Sequence, residues 1–174
     1  SVSPVLVISI GILAVSTSSI FIRYAQGYAD SLVIAAYRLT LASLVLAPLA
    51  LTRQRAELRS LSRTEFLLAL ISGVFLAIHF GTWISSLEYT TVASSVVLVT
   101  TTPLWVALLA PLVLRERLSP IVFAGIFLAS LGSAVVGLAD TCSTQGLQIA
   151  CPPLADFVRG QAFFGDLLAL AGAL

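Results

Sequence analysis

Residues 66–87 read FLLALISGVFLAIHFGTWISSL, a run of 22 residues without Lys, Arg, Asp or Glu. A helix needs about 20 apolar residues to cross the roughly 30 Å hydrocarbon core of a bilayer. Four other runs are long enough, at residues 5–22, 32–51, 92–114 and 121–138. Charged residues form 10% of the chain, against about a quarter in soluble domains, and cluster between the runs. Because lipid leaves open backbone groups without partners, we predict an all-α polytopic membrane protein.

A sixth apolar segment begins near Phe163 and runs to Leu174. Only eight residues follow Asp166, which is too few to cross a bilayer. The chain also contains no Met. We therefore expect a fragment that lacks both natural ends, in which residues 139–162 form a loop before a truncated sixth helix.

The arginines are unevenly distributed between the two sides of the predicted bundle. Six of the nine basic residues fall in two loops on one side: Arg53, Arg55, Arg59, Arg63, Arg115 and Arg117. The opposite side carries Arg23 and Arg159. Because loops rich in Lys and Arg stay in the cytoplasm, we expect these two loops and the N-terminus to be cytoplasmic. The expected location is a prokaryotic cytoplasmic (inner) membrane, with the 139–162 loop outside.

That outer loop contains both cysteines, Cys142 and Cys151. An oxidising compartment favours a disulfide between them, and the alternative is two free thiols in a loop. A metal site is not expected, because two cysteines without a nearby His cannot complete a tetrahedral shell. No phosphate-binding loop or cofactor motif occurs, so no cofactor is predicted.

Local patterns predict how the third span begins and packs. Ser62 and Glu65 have the spacing of a capping box, which places the start of the helix beside them. Small residues recur at every fourth position, a pattern that permits close packing of membrane helices. They are Ala69, Gly73, Ala77 and Gly81.

Two ionisable residues lie inside predicted spans, and such residues are functional candidates by default. Arg38 either extends outward to the interface or faces a substrate or gate. His79 lies deeper, and is either a hydrogen-bonded neutral imidazole or a cavity-lining group open to protonation.

The fourth span contains Thr100-Thr101-Thr102-Pro103. Proline lacks an N–H and clashes with the carbonyl four residues earlier, here that of Val99, so Pro103 predicts a kink. The kink either exposes a carbonyl at a transport site or is a packing kink capped by threonine hydroxyls. We predict a substrate cavity lined by Ser16, Ser19, Tyr37, Arg38, His79, Trp83, Thr101 and Thr102.

The segment HFGTWISSLEYTTVASS at residues 79–95 resembles the EamA-like family of the drug/metabolite transporter (DMT) superfamily. AYRL at 36–39, TPLW at 102–105, LRERL at 114–118 and GDLLAL at 165–170 fit the same family. The resemblance extends over nearly the whole chain, and it is the ordered set of segments that makes it specific.

This resemblance implies half of a ten-helix transporter built from two inverted five-helix repeats. Residues 1–138 would form the first repeat, and residues 163–174 would begin the second. The implied partners are a small-molecule substrate, membrane lipid and the second repeat of the same protein. The loop with the two cysteines is longer than the short linker that the family leads us to expect.

The resulting prediction is a secondary transporter of amino acids, related metabolites or drugs, working outward by alternating access. The alternative is a non-transporting membrane scaffold or channel subunit. An intramembrane enzyme is disfavoured, because His79 is the only histidine and no serine-protease motif occurs. Nucleic acid is not expected as a partner, since orientation and anionic lipid explain the arginines of the 53–63 loop. No complete span holds a carboxylate, which favours a neutral, zwitterionic or anionic substrate.

Overall fold

The structure is a computed structural model that describes residues 3–113, 119–139, 142–145 and 148–174. The elements in chain order are α1 (Pro4–Ala25), α2 (Ser31–Arg53), α3 (Arg55–Ser60), α4 (Arg63–Tyr89), α5 (Val92–Val99), α6 (Thr102–Val113), α7 (Pro120–Ala139), β1 (Ser143–Gln145), β2 (Gln148–Ala150), α8 (Leu154–Arg159) and α9 (Gln161–Ala173).

Five of these described segments are long and apolar enough to cross a membrane: α1, α2, α4, the α5–α6 pair and α7. Their lengths run from 20 to 27 residues, so the predicted all-α polytopic class is confirmed. The predicted end of the fourth span at residue 114, and with it Arg115 and Arg117, lies outside the described residues. The helix α3, in the arginine-rich loop, and the helix α8 were not predicted.

The segment after α7 contains a small hairpin rather than a plain loop. Strand β1 pairs antiparallel with β2, with Ser143 opposite Ala150. A disulfide joins Cys142 to Cys151 directly outside that pair. The structure therefore contains the disulfide rather than two free thiols, which were the two alternatives left open for the cysteines. Among the residues that the structure describes, these two short strands are the departure from an all-helical chain.

Polar side chains fix the ends of α2 and α4. The capping box at the start of α4 is confirmed, because the Glu65 N–H donates to Ser62 Oγ at 3.2 Å and the Ser62 N–H donates to Glu65 Oε2 at 2.7 Å. At the other end of α4, Glu88 accepts hydrogen bonds from the backbone N–H and the hydroxyl of Ser31. Gln26 adds a hydrogen bond from its Nε2 to Ser31 Oγ at 2.8 Å. The α1–α2 turn is thereby tied to the end of α4.

The helix α9 packs along α4 and α5 through small residues. Ala169 and Ala173 are fully buried there, and Gly165 and Gly172 permit a close approach. A Cβ built on Gly165 would lie 2.8 Å from the backbone nitrogen of Thr90, which is closer than real Cβ contacts allow. We call Gly165, Ala169, Gly172 and Ala173 the α9 seam. The seam makes α9 an integral part of the helical core.

The small-residue stripe predicted in the third span contributes less to packing than expected. Gly81 contacts α2, since a Cβ there would lie 3.6 Å from Leu32 Cδ2. Gly73 has no such neighbour within 4 Å among the described residues and is exposed. Close packing along α4 occurs instead where α9 docks, on the face that carries His79 and Trp83.

Candidate substrate cavity

A cavity of about 610 Å³ lies between α1, α2, α4 and the α5–α6 pair. Its volume falls within the roughly 300–1,000 Å³ range of small-molecule sites. Six of the eight predicted residues line it: Ser16, Ser19, Arg38, His79, Trp83 and Thr102. We call it the Arg38 cavity. Its remaining walls are mostly apolar and include Val15, Val96 and Val99.

Arg38 is held against aromatic rings inside the bundle. Its guanidinium carbon lies 5.0 Å from the centroid of the Phe80 ring and 5.6 Å from that of Trp83. A hydrogen bond from Nη1 to the hydroxyl of Ser18 ties the side chain to α1. Cation–π contacts of this kind are attractive within about 6 Å. In this structure Arg38 therefore faces the cavity rather than extending outward to the interface.

His79 forms the boundary between the Arg38 cavity and α9. Its Nδ1 lies 2.5 Å from the carbonyl oxygen of Gly172. Because a carbonyl can only accept, Nδ1 carries the proton in this contact, which leaves Nε2 as an acceptor in the neutral ring. The ring also packs edge-on against Phe80, at a centroid distance of 5.1 Å. His79 is thus hydrogen-bonded and also part of the cavity wall, while its protonation during transport stays a prediction.

Trp83 and Ser19 are the most deeply buried of the predicted residues in this cavity. Trp83 is 7% exposed, and its indole Nε1 has no hydrogen-bond partner within the described part of the chain. A buried donor without a hydrogen-bond partner costs free energy, so the Trp83 indole N–H is a candidate donor to a bound ligand. Ser19 is buried, and its hydroxyl lies 3.5 Å from the carbonyl oxygen of Ser16, one turn earlier in α1.

The fourth span is interrupted where Pro103 predicts a kink. Helix α5 ends at Val99 and α6 begins at Thr102. The hydroxyl of Thr102 donates to the Val99 carbonyl at 3.2 Å, and that of Thr101 donates to the Leu98 carbonyl at 2.6 Å. The Thr102 hydroxyl therefore reaches the Val99 carbonyl, to which Pro103 has no N–H to donate, while the Leu98 carbonyl also accepts the Thr101 N–H at 3.1 Å. Of the two alternatives left open for the kink, this contact corresponds to the one in which threonine hydroxyls cap the carbonyls.

Two predicted residues do not reach the Arg38 cavity. Tyr37 is 67% exposed on the outer side of α2. Thr101 is buried but lines a different cavity of about 510 Å³ among the α5–α6 pair, α7 and α9, which also includes Trp105 and Asp166. Adjacent residues can both line this cavity, as His79 and Phe80 do, but the orientation of α2 turns Arg38 inward and leaves Tyr37 outside.

A family model for EamA-like transporters matches residues 2–138, most of the chain. The chain belongs to the EamA-like transporter family. No curated protein and no solved structure matches it. The family is part of the DMT superfamily, and its members are transporters rather than enzymes. Together with five membrane-length helices, the match identifies an integral membrane protein.

Three of the five segments on which the resemblance to EamA-like proteins rested, at 36–39, 79–95 and 102–105, contribute residues to the Arg38 cavity, whereas residues 165–170 do not line it and residues 114–118 lie outside the described residues. The 79–95 segment contributes His79, Phe80 and Trp83, and the 102–105 segment contributes Thr102 and Pro103. Phe80 was missed by the sequence analysis, although its place beside His79 was a usable signal. Within the described residues, no group of three or more His, Cys, Asp or Glu side chains is arranged to bind a metal ion.

Two further groups at this EamA-like cavity were also missed. Ser18, which accepts the Arg38 hydrogen bond, belongs to the hydroxyl run of α1 but was not selected from it. Thr100 lines the cavity, while its hydroxyl donates to the Val96 carbonyl at 2.8 Å. In both cases the sequence indicated a hydroxyl cluster without fixing which member would turn inward.

Proposed function

We propose that this EamA-like protein is a secondary transporter that exports a small metabolite, an amino acid, a related compound or a drug, by alternating access. The observation that carries the proposal is the Arg38 cavity. A guanidinium, an imidazole and an indole meet there, next to a broken helix. Polar and ionisable groups inside a membrane protein are costly and commonly mark a substrate pathway. Interrupted helices are likewise common at transporter sites.

The cavity also favours a transporter over a scaffold. A scaffold gains nothing from an arginine held within the bundle, whereas a carrier needs polar groups that a substrate can reach. The break between α5 and α6 supports the same choice, because it allows the two half-helices to move relative to one another. A channel subunit is the alternative function, and the experiment below distinguishes a carrier from a channel.

The proposed whole is a ten-helix protein of two inverted repeats. Five spans carry a chain across the membrane an odd number of times, so a tandem copy would enter with the opposite orientation. The close docking of α9 on α4 supports the idea that the second repeat begins there. We place the arginine-rich 53–63 loop in the cytoplasm and the disulfide-bonded hairpin outside the inner membrane.

Counterflow in proteoliposomes tests this function. Vesicles holding the full-length protein are loaded with a mixture of amino acids, organic acids and amines, and mass spectrometry identifies the compounds released. An alternating-access carrier exchanges labelled for unlabelled substrate in a saturable way, whereas a channel gives flux without exchange. Trp83→Ala should abolish exchange. Phe66→Ala, on an exposed part of the same helix, should retain it. Absence of any released compound would refute the proposal.

A further inference from the structure

The charges around the Arg38 cavity are one-sided. Arg38 carries a permanent positive charge, and His79 is either neutral or positive. No acidic residue is found among the described residues that line the cavity. Since charges interact more strongly away from water, such a cavity favours an anion and disfavours a cation.

The way in which Arg38 is held leaves most of its hydrogen-bonding capacity available. A guanidinium has five N–H donors, and the described structure gives Arg38 one hydrogen bond, to Ser18. The rings of Phe80 and Trp83 position the planar group without using its donors. A planar guanidinium matches the two oxygens of a carboxylate, which it can bind through a pair of parallel hydrogen bonds.

The remainder of the cavity suits an apolar body. Val15, Val96, Val99 and Pro103 contribute hydrocarbon walls, and His79 and Phe80 contribute ring surfaces. Arg38 is the one permanently charged residue among the described residues that line the cavity, and one permanent cation balances a single negative charge. Resting on the function proposed above, we propose that the substrate is an organic monoanion. Its carboxylate binds Arg38, and its apolar body packs against Trp83 and the α5 valines.

Three small probes of nearly identical shape test this charge selectivity. Benzoate, benzamide and benzamidine share one ring, and their planar head groups are negative, neutral and positive at pH 7. We expect equilibrium binding of the labelled compounds to the full-length protein in nanodiscs to favour benzoate. A charge-assisted hydrogen-bond pair predicts a preference over benzamide of about 10- to 100-fold. Benzamidine should bind most weakly.

Substitutions on α2 then assign the preference to one residue. Arg38→Gln should remove the preference for benzoate over benzamide, and the heat stability of the variant in detergent shows separately whether it is folded. Arg38→Lys should keep part of the preference, because it retains the charge without the paired geometry. Arg53→Gln, the same change at an exposed position of the same helix, should behave as the wild type.

Three results would overturn the inference. Equal or tighter binding of benzamide or benzamidine by the wild type would remove the anion preference. Retention of that preference in Arg38→Gln would remove Arg38 from the site. Absence of saturable binding for all three probes would remove the monoanion site itself. If the protein still performs counterflow, the proposed transport function survives any of these results, so the two failures are distinguishable.

Discussion

The docking of α9 can be tested at Gly165, where the structure leaves no room for a side chain. A Cβ at this position would lie 2.8 Å from the Thr90 backbone nitrogen and 2.9 Å from the Cβ atoms of Thr90 and Tyr89. These atoms belong to the turn between α4 and α5 and are not flexible side-chain ends. Gly165→Ala must therefore push α9 away from that turn.

The expected destabilisation follows from three contributions. Overpacking a well-packed core costs about 1–3 kcal/mol. Displacing α9 also weakens the hydrogen bond from Thr90 Oγ1 to Asp166 Oδ1, now 2.8 Å long, and bonds to charged groups contribute about 1.5–3 kcal/mol. The higher helix propensity of Ala offsets at most about 1 kcal/mol of this loss in the free energy of unfolding. We expect a net loss of roughly 2–4 kcal/mol in the free energy of unfolding.

Two other glycines provide a graded comparison. A Cβ added at Gly73 would meet no described atom within 4 Å, so Gly73→Ala should be neutral or stabilising by up to about 1 kcal/mol. The loss of stability in Gly172→Ala should lie between those of Gly73→Ala and Gly165→Ala. Its Cβ would lie 3.0 Å from Thr82 Oγ1 and 3.3 Å from the His79 carbonyl oxygen. The assay is the fraction of detergent-solubilised protein that stays monodisperse after heating. The midpoint is the temperature at which half of the protein is no longer monodisperse. A midpoint for Gly165→Ala equal to or above that of Gly73→Ala would refute the packing argument.

Three further predictions concern other parts of the structure. Thr90→Val, which removes a donor to the buried carboxylate of Asp166, should cost about 1–3 kcal/mol, and Thr90→Ser should restore most of the loss in the same heating assay. Cys142→Ser should abolish the gel shift caused by reduction and lower stability by about 2–3 kcal/mol, since the disulfide closes a short loop; an unchanged midpoint would contradict this. Cysteines introduced at Gln54 and Val158 should react with an impermeant maleimide from opposite sides of the membrane, and labelling from one side would contradict the proposed orientation.

The sequence was sufficient for features that depend on local chemistry. Apolar runs such as residues 66–87 required a membrane helix whatever their neighbours, and the capping box at Ser62 required a helix start. The kink predicted at Pro103 coincides with the interruption between α5 and α6, although Pro48 and Pro111 lie inside continuous helices, so proline alone does not decide where a helix ends. Arg38 and His79 were identifiable as candidate functional residues because ionisable groups are costly inside a membrane, although the sequence left open whether Arg38 extends outward to the interface.

What the sequence could not supply was the rotation and docking of individual helices. Tyr37 and Thr101 were selected with their neighbours Arg38 and Thr102, but only the neighbours line the Arg38 cavity, whereas adjacent residues such as His79 and Phe80 both do. The α9 seam was present as a pattern of small residues from Gly165 onward. Its partner on α4 could not be read from that pattern, since several helices carry similar residues. Packing partners are a property of the whole bundle.

The α9 seam and the Arg38 cavity are connected through one residue. No residue of α9 is among the described residues that line the cavity, yet the Gly172 carbonyl holds the His79 ring that forms part of its wall. The backbone of α9 can come this close because position 172 has no side chain. If α9 begins the second repeat, as we propose, then the first contact between the repeats also sets the orientation of a cavity histidine. A movement of one repeat against the other would then alter the Arg38 cavity by reorienting His79, without any movement of the first repeat's helices against one another.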